Sequence, residues 1–231
     1  MRSERSRETV KLYGYWRSLA TFRVRVALAL KGLQLDAPEI PIDLIQGMQH
    51  DAAYRKVNPQ AVVPALVLDD GGAPLFQSMA ILEYLEETHP RPPLLPRDAR
   101  GRARVRGLAQ ICVSDGHPFI VPRVRAYLEK ALGLDEPARN RWVAHWSLKA
   151  LDALEAHLAH EPETGRYCHG DALTLADVCV ASQVIAAKDY GRCDVSGVPV
   201  VMRIYGECMK LDAFARSHPQ RQPGAPADLR A

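Results

Sequence analysis

The stretch His89-Pro90-Arg91-Pro92-Pro93-Leu94-Leu95-Pro96 divides the chain into two halves of different character. Four of the seven residues from 90 to 96 are proline, which cannot continue a helix or pair within a central strand. We therefore predict a linker between a first domain at residues 10–90 and a second at residues 98–222. A chain of 231 residues accommodates two small domains that share an interface.

Strand and helix patterns alternate before the linker. The predicted strands cover residues 10–15, 37–44, 65–68 and 73–76, and the predicted helices cover residues 22–31, 48–56 and 78–88. The Val and Ala content of residues 22–31 also suits a strand, so the helix prediction rests on its length and on Gly32 as a stop signal. Asp69-Asp70-Gly71-Gly72 between two apolar runs predicts a hairpin. The resulting order, βαβ, a connecting helix and ββα, is that of a thioredoxin-like domain.

The half after the linker shows helical spacing only, which predicts an all-helical domain. The periodic segments are residues 105–114, 124–132, 139–158 and 175–188. Gly116, Pro118 and Pro122 should interrupt the first long helix. Thr174 and Asp177 have the spacing of a capping box before an apolar helix, which is a folding device. The Pro-rich tail after Ser217 should be irregular.

Composition excludes several classes of protein. Apolar residues make up 47% and the net charge is +3, without the Lys/Arg stripe or aromatic ladder of a nucleic-acid-binding module. No apolar run has the roughly 18 residues of a membrane span. Residues Met1 to Glu8 are polar, so we expect a frayed leader rather than a secretory signal. The five cysteines are scattered without a C-x-x-C pair, which predicts reduced thiols in the cytoplasm and no metal site.

The junction Tyr15-Trp16-Arg17-Ser18-Leu19-Ala20-Thr21 is the first candidate site. A helix N-terminus presents free N–H groups and partial positive charge, which favour an anion such as a thiolate. A hydroxyl of Ser18 or Thr21 can donate a further hydrogen bond to that thiolate. The alternative is that one of these residues is only an N-cap.

The second candidate joins Val62-Val63-Pro64 to Phe76-Gln77-Ser78. Ser78 opens a predicted helix, so its hydroxyl and the nearby N–H groups can either cap that helix or receive a carboxylate. Gln77 adds a side-chain amide. A cis Val63-Pro64 bond would expose an extended backbone edge with which a peptide ligand can pair.

A third group of polar residues lies where the first long helix is interrupted. His117 stands between Gly116 and Pro118, at a possible junction of the two domains. Arg123 and Arg125 follow it. From sequence alone, a lone His such as His117 is more often an ordinary surface or core residue, and Arg123 and Arg125 can likewise be solvated helix charges.

Several windows together resemble one family. YWRSLATFRVRVALALKG at residues 15–32 is similar to the zeta-class glutathione transferase signature, roughly Y-x-R-S-S-C-S-x-R-V-R-I-A-L-x-L-K-G. VNPQAVVPAL, FQSMAILEYLEETHPRPPLLP, GDALTLADVCVASQV and LDAFARSHPQRQP match the same family in the same order. The resemblance extends over nearly the whole chain and implies glutathione as the cofactor, a homodimer and cis–trans isomerisation of maleylacetoacetate or maleylpyruvate.

The resemblance also implies roles for particular residues. Ser18 would stabilise the glutathione thiolate, and Arg17 would hold a carboxylate of a small substrate. The residues implied to bind glutathione are Gln49, Val63, Gln77, Ser78, His117 and Arg123.

Three positions depart from the family pattern. Leu19 and Ala20 replace a serine and a cysteine of the signature, and Asp189 stands where a second carboxylate-binding arginine is expected. An aspartate there should repel a dianionic substrate. Two alternatives therefore stay open: a transferase or dehalogenase acting on another small electrophile, and a non-catalytic interaction protein on the same scaffold.

Overall fold

The first half of the chain is built on a four-stranded sheet with the order β2-β1-β3-β4. The computed structural model describes residues 10–35 and 37–229, so the predicted leader at residues 1–8 lies outside the described residues. The strands are β1 (Val10–Gly14), β2 (Ile40–Pro41), β3 (Ala65–Leu68) and β4 (Leu75–Phe76). β2 is parallel to β1, whereas β3 is antiparallel to both β1 and β4. The Asp-Gly-Gly hairpin is thus confirmed.

The helices of this half are α1 (Leu19–Leu30), α2 (Ala52–Val57) and α3 (Ser78–Thr88). Residues 19–28 of α1 are all buried, because α3 and two helices of the second half pack against this helix. Gly32 has a φ of +69°, a conformation that glycine adopts without steric cost, so the predicted stop signal is confirmed. The strand alternative for residues 22–31 is wrong.

The predicted strands 10–15 and 73–76 are shortened to β1 and β4, and two other predicted elements of the first half differ further from the structure. Only Ile40–Pro41 of the predicted strand 37–44 joins the sheet. Pro38 has no N–H group to donate to a ladder, and after Ile42 the chain turns, with Asp43 Oδ1 accepting from the Ile45 and Gln46 N–H groups. The predicted helix 48–56 is a 3-10 turn at Met48–His50 followed by α2, and Asp51 between them has extended backbone angles. Helical periodicity alone does not reveal such a break.

The second half is built from helices, as predicted, and its described residues hold no strand beyond an isolated β-bridge between Thr164 and Gly170. Its helices are α4 (Ala99–Gln110), α5 (Pro122–Lys130), α6 (Glu136–His160), α7 (Leu175–Ile185), α8 (Pro199–Met209) and α9 (Asp212–Ser217). A π-helical turn at Ile111–Gly116 and a 3-10 turn at His117–Phe119 separate α4 from α5. This is the predicted interruption. A second π-helical turn, Ala186–Tyr190, extends α7.

Helix α7 forms the centre of the core, and every one of its residues is buried. Its N-terminus carries the predicted capping box: the Thr174 N–H and hydroxyl both donate to Asp177 Oδ2 at 2.7 Å. Asp177 Oδ1 also accepts from the Cys168 N–H. Helix α7 packs on α1, and this contact joins the two halves of the chain. The predicted fold class, a thioredoxin-like domain followed by an all-helical one, is confirmed. None of the described helices is long and apolar enough to cross a membrane.

Candidate active site

A cleft of about 800 Å³ lies between the two halves. The first half contributes the β1–α1 loop, the segment before β3 and the start of α3, and the second half contributes the turns before α5 and α5 itself. All eight residues predicted from the sequence line this one cleft: Arg17, Ser18, Gln49, Val63, Gln77, Ser78, His117 and Arg123. The structure thus shows that these residues line the same cleft, whereas the role of each one in the cleft is still a prediction.

Ser18 is the N-cap of α1. Its backbone is extended and its Oγ accepts a hydrogen bond of 3.1 Å from the Thr21 N–H. The N-cap alternative therefore describes its structural role, while its position on the cleft wall leaves the hydroxyl proton available to a ligand. One hydroxyl can serve both purposes, since it accepts with a lone pair and donates with its proton.

Arg25 stabilises the loop that contains Ser18. This guanidinium donates to both carboxylate oxygens of Glu39 at 2.7 Å and to the Tyr15 carbonyl at 3.1 Å. Such a bidentate pair fixes direction as well as distance. The loop is thus positioned by the protein before any ligand arrives.

Arg17 projects from the same loop and is exposed. Its guanidinium carbon lies 4.5 Å from the centroid of the Tyr190 ring, within the range of a cation–π interaction. The Tyr190 hydroxyl in turn donates to the Arg17 carbonyl at 3.0 Å. Tyr190 belongs to the second π-helical turn, so the contacts of Tyr190 with Arg17 connect this turn to the β1–α1 loop and stabilise the loop.

Ser78 rests on a buried cation. Arg23, only 2% exposed, donates from Nε to Ser78 Oγ and from Nη1 to Ser182 Oγ, both at 3.0 Å. The alternative in which the Ser78 hydroxyl caps α3 is wrong, because Gln77 occupies the N-cap position and Ser78 is the first helical residue. With its lone pair engaged by Arg23, the Ser78 hydroxyl is oriented to donate its proton toward the cleft.

Gln77 has a φ of +66°, a conformation uncommon for a non-glycine residue, and such residues concentrate at ligand sites. Its Nε2 donates to Gln60 Oε1 at 2.8 Å, so a second glutamine holds the amide at the cleft. Gln77, Ser78 and the free N–H groups of the first turn of α3 together form a site suited to a carboxylate.

The segment before β3 presents its backbone to the cleft. The Val63-Pro64 bond is cis, the isomer that the sequence left open. The Val62 carbonyl accepts from the Tyr54 hydroxyl at 2.6 Å and from Asn58 Nδ2 at 2.8 Å. Because these bonds hold the chain from behind, the backbone of Val63 is left to face the cleft.

Gln49 lies in the 3-10 turn before α2. Its Nε2 donates to the Leu44 carbonyl at 3.4 Å, whereas its buried Oε1 has no hydrogen-bond partner among the described residues. A buried acceptor without a donor is costly, and a ligand N–H would remove that cost.

His117 and Arg123 lie on the opposite wall. Burial, followed by the charges of Arg23 and Arg123, lowers the pKa of His117 well below its ordinary value, so the imidazole is neutral at pH 7. Arg123 itself is exposed at the start of α5. A neutral imidazole beside a cation can exchange hydrogen bonds with a peptide-like ligand without adding charge.

Arg23, Arg125 and Tyr190 line the cleft but were not predicted as site residues. Nothing in the sequence around Arg23 indicated a site residue, because this arginine lies in an apolar helix and its burial depends on the packing of α7. Arg125 was read as one of two equivalent helix charges. Asp189, which was expected to face the substrate, is absent from the cleft wall: its Oδ2 lies 3.2 Å from His218 Nε2.

Comparison with known proteins finds one family over most of the chain. Residues 8–87 match the family model described as glutathione S-transferase, N-terminal domain, and residues 136–203 match the one described as glutathione S-transferase, C-terminal domain. The chain is 42% identical over 214 residues to maleylpyruvate isomerase of a Ralstonia species, covering 93% of this chain and 99% of that protein.

Two solved structures are similar over nearly their full length. One is the holo structure of a maleylpyruvate isomerase described as a bacterial zeta-class glutathione S-transferase, with 42% identity, a TM-score of 0.88 and coverage of 94% of this chain and 100% of that one. The other is maleylacetoacetate isomerase from Methylobacterium extorquens AM1 with bound malonate and glutathione, with 46% identity, a TM-score of 0.90 and the same coverage. Fold, cleft and similarity agree, and this chain therefore belongs to the zeta class of the glutathione S-transferase family.

Proposed function

We propose that this chain catalyses the glutathione-dependent cis–trans isomerisation of a maleyl-type acid, with maleylpyruvate and maleylacetoacetate as the substrates to test. The observation that carries the proposal is that Ser18, at the N-terminus of α1, and Arg17 beside it line one cleft with Gln77 and Ser78. An anion-binding helix terminus, a carboxylate-binding cation and a carboxylate site for the cofactor are thereby brought together.

The residues of the cleft fit glutathione. The unpartnered Oε1 of Gln49 is an acceptor for a ligand N–H group, and the Arg23-backed hydroxyl of Ser78 is a donor for the γ-glutamyl carboxylate. Gln77 would share that carboxylate, and the Val63 backbone would pair with the cysteinyl part. His117 and Arg123 would approach the tripeptide from the helical half.

Bound glutathione would supply a thiolate, whose addition would turn the maleyl double bond into a single bond that can rotate; elimination of the thiolate would then restore the double bond in the trans form. The N–H groups at the start of α1 and the Ser18 hydroxyl lower the pKa of that thiol by stabilising its charged form. Arg17 orients the substrate through one carboxylate and stabilises the negative charge that develops on the substrate in the transition state. Because glutathione is regenerated, it acts as a cofactor.

A glutathione transferase or dehalogenase reaction on another small electrophile is the second candidate. The observation that favours it is that Leu19 and Ala20, which replace polar residues of the family signature, both line the cleft. Such a wall suits an apolar electrophile.

Absorbance-monitored turnover of both maleyl acids, with and without glutathione, tests the proposal. Turnover that requires glutathione is expected. A protein that is retained on immobilised glutathione but isomerises neither acid would contradict the isomerase and favour the transferase, whereas a protein that flows through would favour a non-catalytic role.

Two further features belong to this proposal. A homodimer is expected from the family resemblance, and sedimentation velocity would measure it. A cytoplasmic location is supported by five cysteines that form no disulfide.

A further inference from the structure

The cleft holds more positive charge than the glutathione site accounts for. Five arginines line it: Arg17, Arg23, Arg123, Arg125 and Arg139. Arg139 is neutralised by Glu129, whose Oε1 lies 3.0 Å from its Nη1, and it also donates to the Leu134 carbonyl. Arg23 is enclosed below the surface by Ser78 and Ser182. Arg17, Arg123 and Arg125 have no carboxylate within ion-pair distance among the described residues.

Of these three, Arg125 has the most unfavourable surroundings. It is partly buried on α5, and the one hydrogen bond of its side chain among the described residues is a long one, 3.3 Å from Nη2 to Asn140 Oδ1. Burial, followed by the charges of Arg17 and Arg139, lowers the pKa of Arg125, and these effects outweigh the opposing attraction of Glu136 and Glu129. A partly desolvated guanidinium with a neutral partner is a binding site for an incoming anion.

Arg17 approaches the same space from the other wall. The Tyr190 hydroxyl donates a hydrogen bond to the Arg17 carbonyl, and the Tyr190 ring lies under the Arg17 guanidinium. The Arg17 side chain therefore has a cation–π partner but no anionic partner. Arg123 is less suited to share this role, since its charge acts on His117, on the side assigned to glutathione. The two cations that face the remaining space are therefore Arg17 and Arg125.

We propose that Arg125 binds the second carboxylate of the substrate, so that a dicarboxylate is held between Arg17 on the β1–α1 loop and Arg125 on α5. This inference rests on the proposed function for the identity of the dicarboxylate. Two guanidiniums on opposite walls fix both ends of a short dianion, and each offers a fork of donors that matches a carboxylate. Asp189 does not oppose this, because His218 holds it outside the cleft.

The test measures malonate binding by calorimetry to the full-length protein saturated with glutathione. Arg125→Met should weaken malonate binding about tenfold or more, the loss expected for one charge-assisted contact, and should leave the dissociation constant of glutathione within about twofold. Arg125→Lys should bind malonate more weakly than the unaltered protein but more tightly than Arg125→Met, because an ammonium group keeps the charge but lacks the paired N–H donors of a guanidinium. Arg141→Met is the matched control: it removes an exposed arginine of α6 outside the cleft and should change neither constant.

Turnover supplies a second readout. In Arg125→Met the KM for maleylpyruvate should rise about tenfold while kcat falls less, as expected for a group that mainly binds substrate. Binding of acetate, which has one carboxylate, should change less than binding of malonate.

The binding and turnover measurements together test both the dicarboxylate site and the proposed function. Arg125→Met that binds malonate as tightly as the unaltered protein overturns the inference, and so does an unaltered glutathione-loaded protein that binds no malonate. If Arg125→Met loses malonate but the unaltered protein turns over neither maleyl acid, the proposed function fails and the dicarboxylate site stands.

Discussion

The two walls of the cleft differ in how completely their polar groups are satisfied without a ligand. On the wall from the first half, Ser18 caps α1, Gln77 is held by Gln60 and Ser78 is held by Arg23. On the wall from α5, the side chain of Arg123 makes no hydrogen bond among the described residues, and the side chain of Arg125 makes a single long one. Ser18, Gln77 and Ser78 are thus fixed by the fold, whereas few contacts hold the two arginines of α5. Gln49 and Arg17 are exceptions on the first wall: Gln49 Oε1 has no hydrogen-bond partner and the Arg17 guanidinium has no carboxylate partner among the described residues.

This difference separates two tasks. A cofactor that is the same in every cycle benefits from groups already held in place, because little ordering is left to be done on binding. A substrate site made of long, weakly anchored arginines adapts to dicarboxylates of different length. We therefore expect substitutions at Ser18 and Ser78 to change stability and activity together, and substitution of Arg125 to change substrate binding alone.

Ser18→Ala should have the largest effect. Loss of a hydroxyl that stabilises the thiolate should lower kcat about 100-fold, and loss of the N-cap should lower the free energy of unfolding by about 1 kcal/mol. Steady-state kinetics and urea denaturation measure the two. Ser18→Asp is the control, since it keeps a good cap but places a negative charge beside the thiolate; it should be stable and inactive. Full activity in Ser18→Ala would remove Ser18 from the catalytic role.

Arg23→Met should come next. The hydroxyls of Ser78 and Ser182 lose their buried donor, so the free energy of unfolding should fall by about 2–4 kcal/mol and glutathione should bind about tenfold more weakly. Ser182→Ala leaves the bond from Arg23 to Ser78 intact, and it should lower stability while changing glutathione affinity less than about twofold. Equal losses of affinity in both variants would show that Arg23 acts only through packing.

These two cases show how far the sequence could predict the site. Ser18 and Ser78 were predictable, because each stands where a strand or loop gives way to a helix, and helix starts are visible in local patterns. Arg23 was not, since its burial depends on α7, more than 150 residues further along the chain. The predicted domain boundaries at 10–90 and 98–222 remain a proposal.

The second wall was harder to predict for a different reason. Helical periodicity tells which residues share a face only while the helix stays regular. The π-helical turns at Ile111–Gly116 and Ala186–Tyr190 each change the phase of the residues around them. For this reason the sequence could not tell that Arg125 faces the cleft, or that Tyr190 faces it while Asp189 does not.

A pH series on His117 should give a smaller effect. Because the folded protein holds the pKa of His117 well below its ordinary value of about 6.5, the unfolded chain takes up a proton below that pH and the folded protein does not. Stability is therefore fully present above pH 6.5 and is lost as the pH falls toward the folded pKa, by up to about 1.4 kcal/mol per pH unit. His117→Gln should flatten this slope in urea denaturation between about pH 7.5 and 5.5; an unchanged slope would contradict the assignment.

Asp189→Arg should have the smallest effect and bears most directly on the second wall. The family resemblance predicts a gain in kcat/KM for maleylpyruvate, because an arginine at this position would bind a carboxylate. The structure predicts a change of less than about twofold, since residue 189 points at His218 and Arg125 already supplies the charge. Asp189→Asn is the control for loss of the His218 ion pair.

The same substitution in the Arg125→Met background sharpens the comparison. If the substrate carboxylate is held from α5, Asp189→Arg should not restore what Arg125→Met loses. Full rescue of malonate binding and of the KM would show that position 189 reaches the cleft after all. The wall of charges would then extend from α5 to the end of α7, and its arginines would be interchangeable in a way that the hydrogen-bonded groups of the first wall are not.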